Sequence, residues 1–330
     1  MAGRRAVLSV DEYVQGVVSN DRAVLARAMT LAESKRPEHR ALAEEVMTRL
    51  LPRTGGAYRV GVSGAPGVGK STFLERLGLD LIAAGHRPCI LAIDPSSVIS
   101  GGSVLGDKTR MNRLAQRPEA FIRPTPSGNK LGGVSAHTRE MLLLAEAAGY
   151  DVVLIETVGV GQSELSVSAM VDFFLVLMLP AGGDDLQGIK RGILEVADLI
   201  AVNKADGDLE ERAMQAEANY ASVLRLLAPK GRTWGPKTLS VSGLTGRGMS
   251  ELWAMIEDHR RAWESAGGLG ERRSAQQKAW MWSLIEDELW SAFREHPAVK
   301  GQLSALEAAV EAGTVMPSAA ARALVAAFLL

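Results

Sequence analysis

The chain's 330 residues, 47% hydrophobic and 23% charged, suffice for one large core with extensions or for two domains, and they exclude a disordered protein. Its 37 basic residues nearly cancel its 38 acidic ones, and no stretch carries the Lys/Arg density that a phosphate backbone demands, which excludes nucleic acid as a partner. MAGRRAVLSVDEYV lacks the apolar stretch of a signal peptide and no apolar run reaches about 18 residues, so the expectation is a cytoplasmic protein with no membrane contact.

Residues 1–54 read as a helical N-terminal extension. Ser9 and Glu12 form a capping box, Leu25, Ala28, Met29 and Ala32 recur at helical spacing, and Leu42, Val46 and Leu50 form a second stripe after Pro37, a residue suited to a first helical turn. Residues 55–266 alternate short apolar runs with helical segments. The runs are Tyr58 to Ser63, Pro88 to Asp94, Ala120 to Arg123, Asp151 to Glu156, Phe173 to Leu179, Leu199 to Asn203 and Thr238 to Ser242. Several are continuously apolar, as parallel strands covered on both faces must be, so the fold class is a doubly wound α/β domain with a mostly parallel sheet.

Residues 267–330 are expected to be helical, within segments 274–296, 298–312 and 317–330, and Trp282, Ile285, Leu289 and Phe293 make a stripe on the first. That stripe faces either the core of the same domain or, as Trp280, Trp282, Trp290 and Phe293 must bury a large aromatic area, a second copy of the chain in a dimerisation arm. The single cysteine, Cys89, sits before Ile90 and Leu91 as a buried core thiol. His39, His86, His137, His259 and His296 stand at no metal-ligand spacing, so no transition-metal site built by the protein is expected.

Chemistry concentrates first in GAPGVGKST, residues 64–72, a full match to the Walker pattern between a strand and a helix. Gly64, Gly67 and Gly69 let the loop Gly64-Ala65-Pro66-Gly67-Val68-Gly69 turn its N–H groups on phosphate oxygens at a helix N-terminus. Lys70 neutralises the β and γ phosphates, and the Ser71 hydroxyl, before Thr72, serves Mg²⁺. A glycine-rich turn without ligand is the alternative that this context disfavours. NKAD, residues 203–206, ends the run LIAVN. With Asn203 and Lys204 in place, the Asp206 carboxylate can accept both the N1–H and the exocyclic amine of guanine, donors that adenine lacks. Ser242, Gly243 and Leu244 would offer backbone N–H groups to the guanine carbonyl.

Three acids stand at loops on the phosphate side: Asp94 after CILAI, Asp107 in GGSVLGDKTR, and Glu156 in ETVGVGQSE. Carboxylates at the C-terminal edge of a parallel sheet converge on the ligand crevice, where they can hold Mg²⁺ directly or through water and orient the attacking water. Capping of turns is their alternative role. Gly159 occupies the place of the glycine whose N–H senses a γ phosphate. Between two strands, PAGGDDLQGIKRG, with Gln187 and Lys190, reads as a third switch carrying a charge-stabilising side chain, or as a solvated turn.

Together GAPGVGKST, DPSS at 94–97, GGSVLGDKTRM, HTRE at 137–140, ETVGVGQSE and NKAD resemble the MeaB/ArgK family of GTPases, chaperones of methylmalonyl-CoA mutase, over about residues 40–265. The resemblance implies a P-loop G domain of the SIMIBI type that binds GTP and GDP with Mg²⁺. It implies a homodimer that gates adenosylcobalamin delivery to a methylmalonyl-CoA mutase and protects that enzyme, with GTP hydrolysis as timer. It puts Asp94 and Asp107 in the first switch, Glu156 in the second, and Gln187 and Lys190 in the third. Gln162 follows Gly159 by three residues rather than directly, so slow intrinsic hydrolysis accelerated by a partner is expected. A metal-insertion GTPase would need thiolate or histidine ligands that the chain does not gather, and a transport-associated kinase would need a second-substrate domain that is not evident.

Overall fold

A computed structural model of the chain describes residues 7–34, 36–94, 111–126, 137–157, 163–180, 191–227 and 233–329. Its strands are β1 Tyr58–Gly64, β2 Pro88–Asp94, β3 Phe121–Pro126, β4 Val152–Glu156, β5 Phe173–Met178, β6 Leu199–Val202 and β7 Lys237–Ser240. They form one all-parallel sheet in the order β3-β2-β4-β1-β5-β6-β7. Every apolar run read from the sequence became a strand; the inner strands are wetted on neither face, whereas β7, at the sheet edge, leaves Lys237 exposed. All seven residues of β1 and all five of β4 are buried.

The helices, in chain order, are α1 Val10–Val18, α2 Arg22–Ala32, α3 Pro37–Leu50, α4 Lys70–Ala83, α5 Asn112–Ala115, α6 His137–Ala147, α7 Ser163–Ser168, α8 Arg191–Val196, α9 Glu210–Leu227, α10 Met249–Ser265, α11 Gly268–Glu295, α12 Pro297–Glu311 and α13 Pro317–Leu329. Phe73, Leu74 and Leu77 of α4 pack on Val60, Val62, Leu154, Leu175 and Leu177, so the helix that follows the Walker loop is anchored over the middle of the sheet. Burial of such side chains contributes roughly 1.5–3 kcal/mol each.

The chain divides into two compact units, Met1–Gly270 and Glu271–Leu330. In the first, α1 starts from the expected capping box: the Glu12 N–H donates to Ser9 Oγ at 3.3 Å and the Ser9 N–H to Glu12 Oε2 at 2.7 Å. Pro37 occupies the first turn of α3, and Leu25, Ala28, Met29 and Ala32 are buried. These helices are tied to the β3 side of the sheet. Asn20, at a left-handed φ of 58°, donates from Nδ2 to the Ala148 carbonyl at 2.5 Å, and Arg123 pairs with Glu33 at 2.6 Å. Arg59 of β1 meets buried Glu146 of α6 through two bonds, at 2.8 and 3.0 Å, and Glu146 also accepts the Gly55 N–H at 2.7 Å. Breaking one side of such a buried pair costs about 3–5 kcal/mol.

At the opposite end of the strands from the Walker loop, α10 supplies His259, which is fully buried. Its Nδ1 shares a 2.5 Å hydrogen bond with the Tyr58 hydroxyl, and the rings of Phe173 and Trp234 lie edge-on to it with centroids at 4.9 and 5.1 Å. Cys89 is buried, and that burial pushes its thiol pKa up, which makes it inert as a ligand or nucleophile.

In the second unit Phe293 meets Trp290 at a tilt and Phe328 edge-on, both with centroids at 5.5 Å. No residue of α11 is buried: Trp282 and Leu289 are each 55% exposed and Trp290 60%. Within this unit the stripe read from the sequence is largely exposed, apart from Phe293 at these ring contacts. Among the described residues, no helix is long and apolar enough to cross a membrane.

Candidate functional site

The chain crosses from β1 to β2 on one side of the sheet and from β4 to β5 on the other, so strand order reverses at β1 and a crevice opens beyond its C-terminal end. The Walker loop fills that position. Gly64 has a φ of +152°, and a Cβ there would lie 2.5 Å from the Leu177 carbonyl oxygen, which leaves glycine as the residue that fits. Gly69 caps α4 at a φ of +93°, with a Cβ position 3.0 Å from Asn203 Nδ2. Among the described residues no side chain caps α4, so its first-turn N–H groups are available to an anion. Val68 is buried as the anchor of the loop, while Ala65, Pro66 and Gly67 are exposed at its rim.

The Lys70 ammonium is turned back on its own loop, donating to the Gly64 carbonyl at 2.7 Å and the Ala65 carbonyl at 3.3 Å. Burial pulls its pKa below the ordinary lysine range, while the charges of Glu156 and then Glu164 act to keep it protonated. Ser71 follows it half-buried and Thr72 exposed. Glu156, 9% exposed, ends β4. Thr157 beyond it donates its hydroxyl to Ser63 of β1 at 2.9 Å, so the floor of the crevice is polar.

The base-side loops are knotted to the Walker loop through one amide. Asn203, 2% exposed, donates from Nδ2 to the Val68 carbonyl at 2.8 Å and accepts the Gly243 N–H on Oδ1 at 3.0 Å. Lys204, at a left-handed φ of 62°, donates to the Gly67 carbonyl at 2.8 Å. The Ser242 hydroxyl donates to Asp206 and accepts the Thr245 N–H at 3.0 Å, fixing the half-buried carboxylate. Gly243 lies against α4, where a Cβ would approach Phe73 Cα to 2.8 Å. Of the three amides read as donors to a base, that of Ser242 donates to the Arg247 carbonyl at 2.9 Å and that of Gly243 to Asn203. Leu244, 74% exposed, is the one whose N–H has no intramolecular acceptor among the described residues.

The structure thus brings Gly64 to Thr72, Glu156, Asn203 to Asp206 and Ser242 to Leu244 to one edge of the sheet. Asp107, Gly159, Gln162, Gln187 and Lys190 lie outside the described residues, and of Asp94 only the backbone, the last residue of β2, is described. Glu164, the last letter of ETVGVGQSE, was not singled out by sequence reasoning, yet it is 1% exposed and its charge reaches Lys70. Among the described residues no group of three or more His, Cys, Asp or Glu gathers to hold a metal ion. The Ser71 hydroxyl and the Glu156 carboxylate are hard oxygen donors, the chemistry that suits Mg²⁺ carried in largely by a nucleotide's phosphates.

A family profile described as "Methylmalonyl Co-A mutase-associated GTPase MeaB" matches residues 25–298. The chain is 45% identical over 329 residues to "Methylmalonic aciduria type A homolog, mitochondrial" of Mus musculus, covering 97% of this chain and 79% of that protein. It is 49% identical over 278 residues to "GTPase ArgK" of Escherichia coli, 84% of each chain. A solved structure titled "Crystal structure of LAO/AO transport system kinase" superposes with a TM-score of 0.79 at 38% identity, over 98% of this chain and 100% of that one.

Proposed function

The chain belongs to the MeaB family of methylmalonyl-CoA mutase-associated GTPases, and from that premise we propose that it gates adenosylcobalamin delivery to a methylmalonyl-CoA mutase, and protects that enzyme, by timed hydrolysis of GTP to GDP and phosphate. The observation that carries the nucleotide part is the Asn203 knot. One buried amide joins the Walker loop to the loops holding Asp206 and Leu244, so phosphate and base subsites are set at a fixed spacing. What supports the mutase part is the family description and the relative named for methylmalonic aciduria.

In this reading the N–H groups of residues 64–72 and Lys70 bind the phosphates, and Asp206 reads the guanine edge while the Leu244 N–H faces the carbonyl. Mg²⁺ would be held by Ser71 with Asp94, Asp107 and Glu156, directly or through water, and supplies neutralisation of charge on the β and γ phosphates. Glu156 and Asp107 also orient the attacking water. A second switch whose Gln162 stands three residues after Gly159 rather than directly after it makes the free enzyme slow, and a partner that orders the loop of Gln187 and Lys190 adds positive charge where the transition state gathers negative charge. A metal-insertion role is disfavoured by the inert Cys89, and the kinase named in the related structure's title by a site built to select guanine.

The test is single-turnover GTP hydrolysis with and without a methylmalonyl-CoA mutase, with co-precipitation in GDP and in a non-hydrolysable GTP analogue. Stimulation by the mutase is expected, and Lys190→Ala should keep most intrinsic activity while losing about tenfold or more of the stimulated rate, Gln187→Ala less. Equal stimulation of wild type and Lys190→Ala would remove the third loop from the mechanism, and no association in either nucleotide state would remove the mutase.

We also read residues 267–330 as the arm of a homodimer, because Met281, Trp282, Leu289 and Trp290 are between 48% and 60% exposed on one helix. A chain ending at residue 266 should scatter light as a monomer, or aggregate through newly bared surface, while still binding GTP. A clean dimer of the shortened chain would place the interface elsewhere.

A further inference from the structure

The loop after β7 meets the rest of the protein in two separate places. Its stem is tied to the NKAD loop and to α9: the Ser242 hydroxyl donates to Asp206, and Arg247 donates from Nη1 to the Ala205 carbonyl at 3.3 Å and pairs with Glu210 at 2.5 Å. Within the loop the Gly246 N–H returns to the Ser242 carbonyl at 2.8 Å. Its tip, Leu244 and Thr245, is exposed, so no buried side chain anchors it.

The tip rests instead on α4, the helix that starts at the Walker loop. Phe73 and Arg76, three residues apart and so on one face of α4, meet the loop on either side of the tip. Gly243 lies on the Phe73 backbone, and a Cβ at Gly246 would overlap the Arg76 guanidinium. Arg76 also donates from Nη1 to the Thr245 carbonyl at 3.4 Å. Its Nε donates to both carboxylate oxygens of Asp80, at 2.9 and 2.8 Å, so the planar guanidinium is braced on its own helix while its outer edge faces the loop.

The Leu244 N–H, which has no intramolecular acceptor among the described residues, belongs to this tip. A loop without a buried side chain loses conformational entropy when it settles on a ligand, and a contact that holds it beforehand lowers that cost. We propose that Arg76 is a positioning residue of base recognition: by pinning the tip to α4 it keeps the Leu244 N–H where a purine with an acceptor at its 6-position is read. The stem, tied to Asp206 by other bonds, reads the 2-amino edge without it. The inference rests on the reading of Leu244 as the donor to the guanine carbonyl.

The experiment compares the binding of three diphosphates to the full chain with Mg²⁺, in wild type and in Arg76→Met. They are GDP, inosine diphosphate, which lacks the 2-amino group, and 6-thio-GDP, whose sulfur is a weak acceptor. Methionine keeps an unbranched apolar stem and suits a helix but has no donor. Arg76→Met should lower the preference for GDP over 6-thio-GDP by about fivefold, the size of one net hydrogen bond, and leave the preference for GDP over inosine diphosphate within about twofold. Mere loss of stability would weaken all three alike. Should Arg76→Met melt below the assay temperature, Arg76→Lys, which cannot fork from Asp80 to Thr245, gives the same ratios. An unchanged ratio of GDP to 6-thio-GDP, equal weakening of all three nucleotides, or an equal shift in the inosine ratio overturns the proposal. A wild type that does not distinguish GDP from 6-thio-GDP would remove the Leu244 reading, and this proposal with it. One that binds no guanine nucleotide would remove the nucleotide reading beneath both.

Discussion

Replacing Lys70 with alanine is expected to lower kcat/KM for GTP by about 10³-fold or more, roughly 4 kcal/mol of transition-state stabilisation. Loss of one preorganised donor to developing charge costs about 10² to 10³ in rate, and Lys70 brings a full charge to both the group transferred and the group left behind. GDP binding should weaken less, by about tenfold, since the N–H cradle at the start of α4 remains. The fold should survive: the ammonium's bonds are to the Gly64 and Ala65 carbonyls of its own loop, and no strand contact depends on them. Circular dichroism and a melt of the variant check this alongside the turnover assay. Turnover within about threefold of wild type, with the same Mg²⁺ dependence, would sink the assignment of the Walker loop.

Asp206→Asn should change which base is read. The carboxylate, held by the Ser242 hydroxyl, presents acceptors to the two donors of guanine. The amide puts a donor against them and leaves both buried groups in conflict, whereas xanthine offers an acceptor at the same edge. Sites built on such pairing reject the wrong partner by about 10⁴ to 10⁵, so a swing of at least about 10³ in the GTP to XTP preference is expected. Competitive binding of the two triphosphates measures it. A variant that still prefers GTP as strongly as before would show that Asp206 does not read the base. The surrounding loop should hold its shape, because Asn203 rather than Asp206 carries the bonds to Val68 and Gly243.

Much of this architecture was legible before any coordinates. Several strands announced themselves as continuous apolar runs because both faces of the inner sheet are covered, and α1 and α3 by a capping box and a first-turn proline, signals that act locally. Strand ends were less legible: β6 stops at Val202 and β7 at Ser240, since Asn203 and Ser242 are withdrawn into side-chain bonds that periodicity does not register. Ser242 was read for its backbone amide, whereas its hydroxyl is what touches Asp206. Glu164 went unread because one acid in a six-residue helix has no pattern, and only the folded chain buries it. His259 looked like any dispersed histidine, and only the meeting of Tyr58, Phe173 and Trp234 around it reveals its place. The face of α11 was visible as a stripe, but a stripe does not say whether its cover comes from the same chain.

Strand order also sets a schedule for synthesis. β1 is flanked by β4 and β5, so the strand bearing the Walker glycine has no hydrogen-bonding neighbour until residues up to Glu156 exist, about 100 residues after Tyr58, and its second neighbour is complete only at Met178. At about 5–20 residues per second, a nascent chain carries that strand, buried throughout in the fold, unpaired for about 5–20 seconds. β2 waits as well, since its partners β3 and β4 follow it. Helices α1 to α3 emerge first and are stabilised locally, but the groups they bind, Ala148 and Arg123, also come later. The central strand of this sheet is therefore the segment most in need of a holding chaperone during translation, and truncated products ending before Glu156 are the ones that should aggregate.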